Sequence, residues 1–197
     1  MSDFVIDVKA LRQSARQHME RGPITETYGA DSKRVIEVLN DVLATEIVCY
    51  LRYKRHHYAA KGINSSSIAD EFLEHANEEM QHADWVAERI TQLQGEPDFN
   101  PGGLLTRSHA EYVEGNSLTD MIKEDLVAER IAISSYQEIS RWLGEGDPTT
   151  RDIIKKILAV EEKHADDLLT LLEDMGEKTS EKSGAFDRSD AKAGSRI

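Results

Sequence analysis

Two stretches decide how this chain reads: Glu79-Met80-Gln81-His82-Ala83-Asp84 and, 82 residues later, Glu161-Glu162-Lys163-His164-Ala165-Asp166. Each opens with Glu-x-x-His inside a long helical pattern. Three residues turn an α-helix by about 300°, so the glutamate and the histidine share one face, one turn apart. A single pair of this kind is ordinary helix-surface chemistry. Two pairs on different helices match a bundle in which each of the two remaining helices adds one carboxylate at the same depth. Glu46, within the apolar Leu43–Ile47 face, and Glu129, beside Leu126, Ile131 and Ile133, meet that demand. The spacing repeats: Glu46 precedes Glu79 by 33 residues and Glu129 precedes Glu161 by 32, while Tyr53 and Tyr136 each follow their glutamate by seven. This is an internal two-helix repeat in which the polar positions match.

Four glutamates in a bundle core are prohibitively costly without counter-charge. Two divalent cations balance the four negative charges. Oxygen and imidazole donors without thiolate suit iron or manganese rather than structural zinc. Two carboxylates then bridge the metals, and each metal takes one histidine and one further carboxylate.

Working outward, breakers divide the chain into four helices of similar length. The first is capped by Asp31 or Ser32 and runs to about Lys61, with Val35, Val38, Leu39, Val42, Leu43 and Ile47 recurring at three and four. The second starts within Asn64–Ser67, where Ser67 and Asp70 resemble a capping box, and runs to about Gln94, with Gly95 as a left-handed stop. The third spans Ser117 to Gly144. The fourth has Asp147 as cap and Pro148 at the first helical position, and ends at Gly176. The long break before Ser117 holds Pro97, Pro101, Gly102 and Gly103, and it lets the second and third helices run parallel. The expected fold is therefore all-α, a four-helix bundle over 31–176 with one long crossover. Residues 1–30 add a short amphipathic helix (4–20, with Phe4, Val5, Val8 and Leu11 near one face) and a loop, and the polar tail 177–197 is expected to be disordered.

Composition narrows the function classes. The 197 residues hold 37 acids against 24 lysines and arginines, a formal charge of −13 that argues against nucleic acid and anionic membrane and favours attraction of cations. The tail's bases, Lys178, Lys182, Arg188, Lys192 and Arg196, are nearly matched by its acids, so it is a poor DNA arm. The single cysteine, Cys49, excludes an intrachain disulfide and a Cys-rich zinc module and fits a reducing compartment. With no apolar run of membrane-spanning length and no secretory pattern in Met1–Asp7, the expected location is the cytoplasm.

The run Asn77-Glu78-Glu79-Met80-Gln81-His82-Ala83-Asp84, continued by Leu93-Gln94-Gly95-Glu96-Pro97, resembles the second-helix motif of the bacterioferritins within the ferritin-like superfamily. The resemblance covers about 31–175. It implies a ferroxidase, which oxidises Fe²⁺ to Fe³⁺ with O₂ or H₂O₂ and stores ferric mineral in a hollow homo-oligomeric shell. It also implies two irons per subunit held by Glu46, Glu79, His82, Glu129, Glu161 and His164. Glu79 and Glu161 bridge; Glu46 and His82 hold one iron, Glu129 and His164 the other; manganese is the alternative metal. Tyr53 and Tyr136 match tyrosines that hydrogen-bond near the site. Asp125, one turn before Glu129, is a candidate acceptor from a ligand histidine. Met80 corresponds to a haem-ligating methionine, so haem b is a candidate cofactor at a two-fold interface. The chain departs from the family in lacking an apolar fifth helix after Gly176, which favours a twelve-subunit, mini-ferritin (Dps-like) shell over one of 24. Cys49 alone does not reproduce the cysteine pair of mini-ferritins that carry a bacterioferritin-type site. The rival readings are a di-metal peroxidase or oxidase without storage, like the rubrerythrin core, and a metal-free helical interaction protein. Glu74 and Glu78 read as a charged helix face, and His56, His57 and His75 as surface or interface residues.

Overall fold

In the computed structural model, the described residues are 5–62 and 65–176. They form helices and connecting segments without a strand: α1 (Val8–Ser14), α2 (Ser32–Ala59), α3 (Ser65–Gln92), α4 (Leu104–Arg107), α5 (Leu118–Leu143) and α6 (Pro148–Asp174), with single 3₁₀ turns at Met19–Arg21 and Pro101–Gly103. The four long helices are the expected four, within two residues of the expected ends. Their starts are capped as the sequence suggests. Asp31 accepts from the amides of Lys33 and Arg34, Ser117 from that of Asp120, and Asp147 from that of Thr150. For α3, which begins at Ser65, the candidate Asn64 lies outside the described residues, and Ser67 stands at the third helical position.

The expected helix over 4–20 shrinks to α1 and a separate 3₁₀ turn, and Phe4 lies outside the described residues. Val5, Val8 and Leu11 are exposed in the single chain, so no bundle surface holds a longer helix together here. The expected tail, 177–197, lies outside the described residues. At the end of α3 the left-handed residue is Gln94 (φ 64°), not Gly95. Gly95 is needed for a different reason: a Cβ there would come within 2.7 Å of Ile36 Cγ2, where the chain crosses the first turns of α2.

Cross-helix partners fix the directions. Tyr53 of α2 meets Phe72 of α3, while Ile36 of α2 meets Gly95 beyond the end of α3, so these helices are antiparallel. Arg52 pairs with Asp125 and Glu46 with Tyr136, making α2 and α5 antiparallel as well. Glu78 reaches His164 and Arg89 reaches Asp147, which sets α3 against α6. The order is therefore up, down, down, up, with α3 and α5 parallel across the crossover. That crossover is pinned along α2. The His109 amide donates to Thr45 Oγ1 (2.9 Å), Arg52 to the Glu111 carbonyl (2.9 Å), and the Asp98 amide to Asn40 Oδ1 (2.7 Å).

Among the described residues most of the apolar core falls into two parts. Leu39, Val42, Leu43, Val86, Ile90, Ile154 and Ile157 fill one end of the bundle, and Phe72, Ile122, Leu168 and Leu172 the other, all buried. Each fully buried aliphatic or aromatic side chain contributes roughly 1.5–3 kcal/mol relative to exposure. Between the two apolar clusters lies a polar layer.

Candidate metal centre

The layer is built from the middles of all four long helices. Glu46 is residue 15 of 28 in α2, Glu79 residue 15 of 28 in α3, Glu129 residue 12 of 26 in α5 and Glu161 residue 14 of 27 in α6. His82 and His164 each follow one turn after a glutamate, on the same face. All six are at most 1% exposed. The donor atoms of Glu46, Glu79, His82 and Glu161 lie within 4.8 Å of one another, and so do those of Glu79, Glu129, Glu161 and His164. Glu79 and Glu161 belong to both groups.

Both imidazoles turn Nδ1 inward. His82 Nδ1 is 3.1 Å from Glu46 Oε2 and 3.0 Å from Glu161 Oε1, and His164 Nδ1 is 3.4 Å from Glu79 Oε1 and 3.2 Å from Glu161 Oε2. On its outer side His164 Nε2 donates to Glu78 Oε2 at 2.7 Å. That bond commits the ring proton to Nε2 and leaves the Nδ1 lone pair free toward the cluster. Glu78 is thus more than part of a solvated face. The tyrosines are crossed between helices: Tyr53 of α2 donates to Glu129 of α5, and Tyr136 of α5 donates to Glu46 of α2. Each phenol orients one carboxylate from the opposite helix, and burial keeps both phenols protonated by pushing them well above their ordinary range.

The electrostatics of the cluster show what it costs to bury these groups together. Burial, reinforced by the neighbouring carboxylates, raises Glu79 and Glu129 well above the usual carboxylate range. Burial pushes Glu161 the same way, but His82, whose Nδ1 is 3.0 Å away, overcomes it and holds that carboxyl low. His82 is raised to about 10 against its burial, by Glu161 and Glu46. Even so, Glu79 Oε1, both Glu161 oxygens and His164 Nδ1 are buried without a hydrogen-bond partner. Orphaned buried lone pairs converging on one spot are what a bound cation would satisfy, and their oxygen and imidazole chemistry fits iron or manganese.

The other sequence candidates lie elsewhere. Asp125 does not serve a cluster histidine. It is fully buried and accepts from Arg52 Nε (2.7 Å) and His56 Nδ1 (2.8 Å), anchoring α5 to α2. Met80 is half-buried and packs against the apolar core rather than toward the carboxylates. Cys49 is buried beside Arg52, Ala110 and Ala128. Sequence reasoning missed His56 and His75, which are fully buried rather than surface residues. His57 is half-buried, with Nδ1 2.7 Å from the Ala69 carbonyl. Burial pushes the His75 imidazole down to about 3, with nearby His164 adding to the effect. The signal for His75 was present: it stands one turn before Glu79 and two turns before His82 on the same helix face.

The fold and the layer define a class: four-helix bundles whose cores carry paired Glu-x-x-His motifs and two further glutamates. Residues 36–177 match the model of the ferritin-like domain, and the chain belongs to that family. A bacterioferritin of Desulfovibrio desulfuricans is 30% identical over 144 residues, covering 73% of this chain and 74% of that one. A nutrient stress-induced DNA-binding protein of Nostoc sp. is 31% identical over 134 residues, covering 66% and 73%. Among solved structures, a dodecameric thioferritin, the bacterioferritin-related protein of Bacteroides fragilis, superimposes with a TM-score of 0.72 at 34% identity, covering 75% of this chain and 89% of that one. Among the described residues no helix is long and apolar enough to cross a membrane.

Proposed function

We propose that this chain is a ferroxidase that oxidises Fe²⁺ to Fe³⁺ at a dinuclear site within each subunit and stores the ferric product inside a homo-oligomeric shell. The observation that carries the reading is the pair of overlapping donor groups sharing Glu79 and Glu161 in a buried layer with unsatisfied polar atoms. In the proposed centre Glu79 and Glu161, which belong to both donor groups, would be shared by two Fe²⁺ ions, with Glu46 and His82 holding one and Glu129 and His164 the other. Two bound Fe²⁺ ions supply two electrons, enough with two protons to take O₂ to H₂O₂ or H₂O₂ to water. The chain's own residues supply position and charge. Four carboxylates neutralise two divalent ions, Glu78 holds the His164 tautomer, and Tyr53 and Tyr136 hold Glu129 and Glu46. The flanking apolar clusters keep bulk water from the layer.

The family and its bacterioferritin relatives support iron storage. The dodecameric neighbour supports a shell of twelve. The net charge of −13 suits cation uptake rather than DNA contact. Haem ligation by Met80 would require a second subunit to complete its site. The test is Fe²⁺ oxidation followed optically after anaerobic mixing, with O₂ and H₂O₂ compared. Wild type is expected to oxidise two Fe²⁺ per chain in a fast phase, and Glu79→Ala to lose that phase. A fast phase surviving Glu79→Ala sinks the assignment.

A further inference from the structure

We propose that Glu71, His75 and Asp167 form a third divalent-cation site, at the rim of the bundle one imidazole away from the dinuclear layer. His75 is fully buried. Its Nδ1 lies 3.3 Å from the Tyr53 hydroxyl, whose own proton goes to Glu129, so Nδ1–H is the donor. The Nε2 lone pair is therefore left over. It is buried, has no hydrogen-bond partner, and faces two carboxylates: Glu71 Oε1 at 3.3 Å and Asp167 Oδ2 at 3.7 Å. A lone pair aimed at two anionic oxygens is repulsive unless a cation sits between them. All three donor atoms lie within 4.8 Å of one another. Donors on one ion, each about 2.1 Å from it, stand roughly 3 to 3.5 Å apart, so small side-chain movements complete the site.

The position suggests the site's use. The Glu71 and Asp167 side chains are about one-third exposed, 31% and 32%, so an ion reaches them from solvent. The His75 ring stacks on the His164 ring with centroids 3.9 Å apart, and Tyr53 links His75 to Glu129. The resident positive charge is Lys163, whose Nζ is 3.0 Å from Asp167 Oδ2 on a side chain 53% exposed. An arriving dication displaces it into solvent. One nitrogen and two carboxylates, with water completing the shell, suit a first-row divalent ion held loosely enough to pass on. The staging of Fe²⁺ toward the dinuclear centre rests on the ferroxidase reading; the cation site itself does not.

The experiment is an anomalous difference map at the cobalt edge from anaerobic crystals of the full chain soaked in Co²⁺. A peak bonded to Glu71, His75 and Asp167 is expected beside two peaks in the dinuclear layer. Absence of the outer peak in wild type overturns the site, whatever the inner layer holds. An outer peak with an empty inner layer upholds the site and removes the dinuclear reading instead. In Glu71→Gln/Asp167→Asn the outer peak should vanish; its persistence overturns the ligand assignment. The same double variant should raise the Fe²⁺ concentration for half-maximal oxidation severalfold, and an unchanged value overturns the staging role.

Discussion

Glu79 is the residue at which function and stability pull apart most sharply. Its carboxyl is buried, without a hydrogen-bond partner at Oε1, and burial with the surrounding acids raises it far above the ordinary range. A folded-state value above the unfolded one means that the metal-free fold loses stability as pH climbs beyond about 4.3, the unfolded value, until the carboxyl ionises in the fold. Glu79→Gln removes that cost. At neutral pH the chelated variant should melt above chelated wild type, by roughly 2–8 °C for about 1–2 kcal/mol, and the gap should close as pH falls toward 4. With metal added the order should reverse, because the variant loses a carboxylate common to both donor groups. Thermal melts with and without chelator check both halves. Glu79, His82, Glu161 and His164 were legible together because the Glu-x-x-His spacing fixes a shared helix face whatever the surroundings, and Glu46 and Glu129 because they repeat at matching distances inside apolar faces. Asp125 was misread because its position on the face of Glu129 was visible but its partners, Arg52 and His56, are brought by another helix.

The α6 start shows how one element end can hold several elements together. Asp147 caps the helix through the Thr150 amide (2.9 Å) and hydroxyl (2.5 Å), accepts from Tyr28 (2.8 Å), and pairs with Arg89 of α3 (3.0 Å). Burial works to raise this carboxyl, but Thr150, Tyr28 and Arg89 together hold it below the usual value. Its stabilising effect is therefore present above the ordinary carboxylate pKa of about 3.9 and lost as pH falls through the lower folded value. Asp147→Ala should cost about 3 kcal/mol at neutral pH, since it strands the buried Arg89 guanidinium and removes a cap. Denaturant melts at neutral and acid pH should show the difference shrinking below about pH 4. Caps and long helices were readable from sequence because they are local. The short α1, the left-handed Gln94 and the space that Gly95 leaves for Ile36 were not, because each depends on which distant surface the segment meets.

At the scale of the whole molecule, the segment before the bundle presents exposed apolar residues, among them Val5 at 83% and Met19 at 74%, that a subunit contact would cover. Twelve chains of 22.2 kDa give roughly 266 kDa. Sedimentation should show that species, and a dimer would favour the peroxidase reading over storage. Duplex DNA at about 150 mM salt should remain unshifted by the assembled protein, since screening weakens what few basic contacts an acidic surface offers. The parallel run of α3 and α5 was legible in the long crossover between them, but the number of subunits is set by surfaces whose partners no single chain contains. The central claim is tested most directly by anaerobic Fe²⁺ titration in the Glu71→Gln/Asp167→Asn background, which removes the carboxylates of the proposed outer site. Two tightly held Fe²⁺ per chain, both lost on adding Glu79→Ala, is the predicted result; a chain that retains no iron, or retains the same two without Glu79, contradicts it.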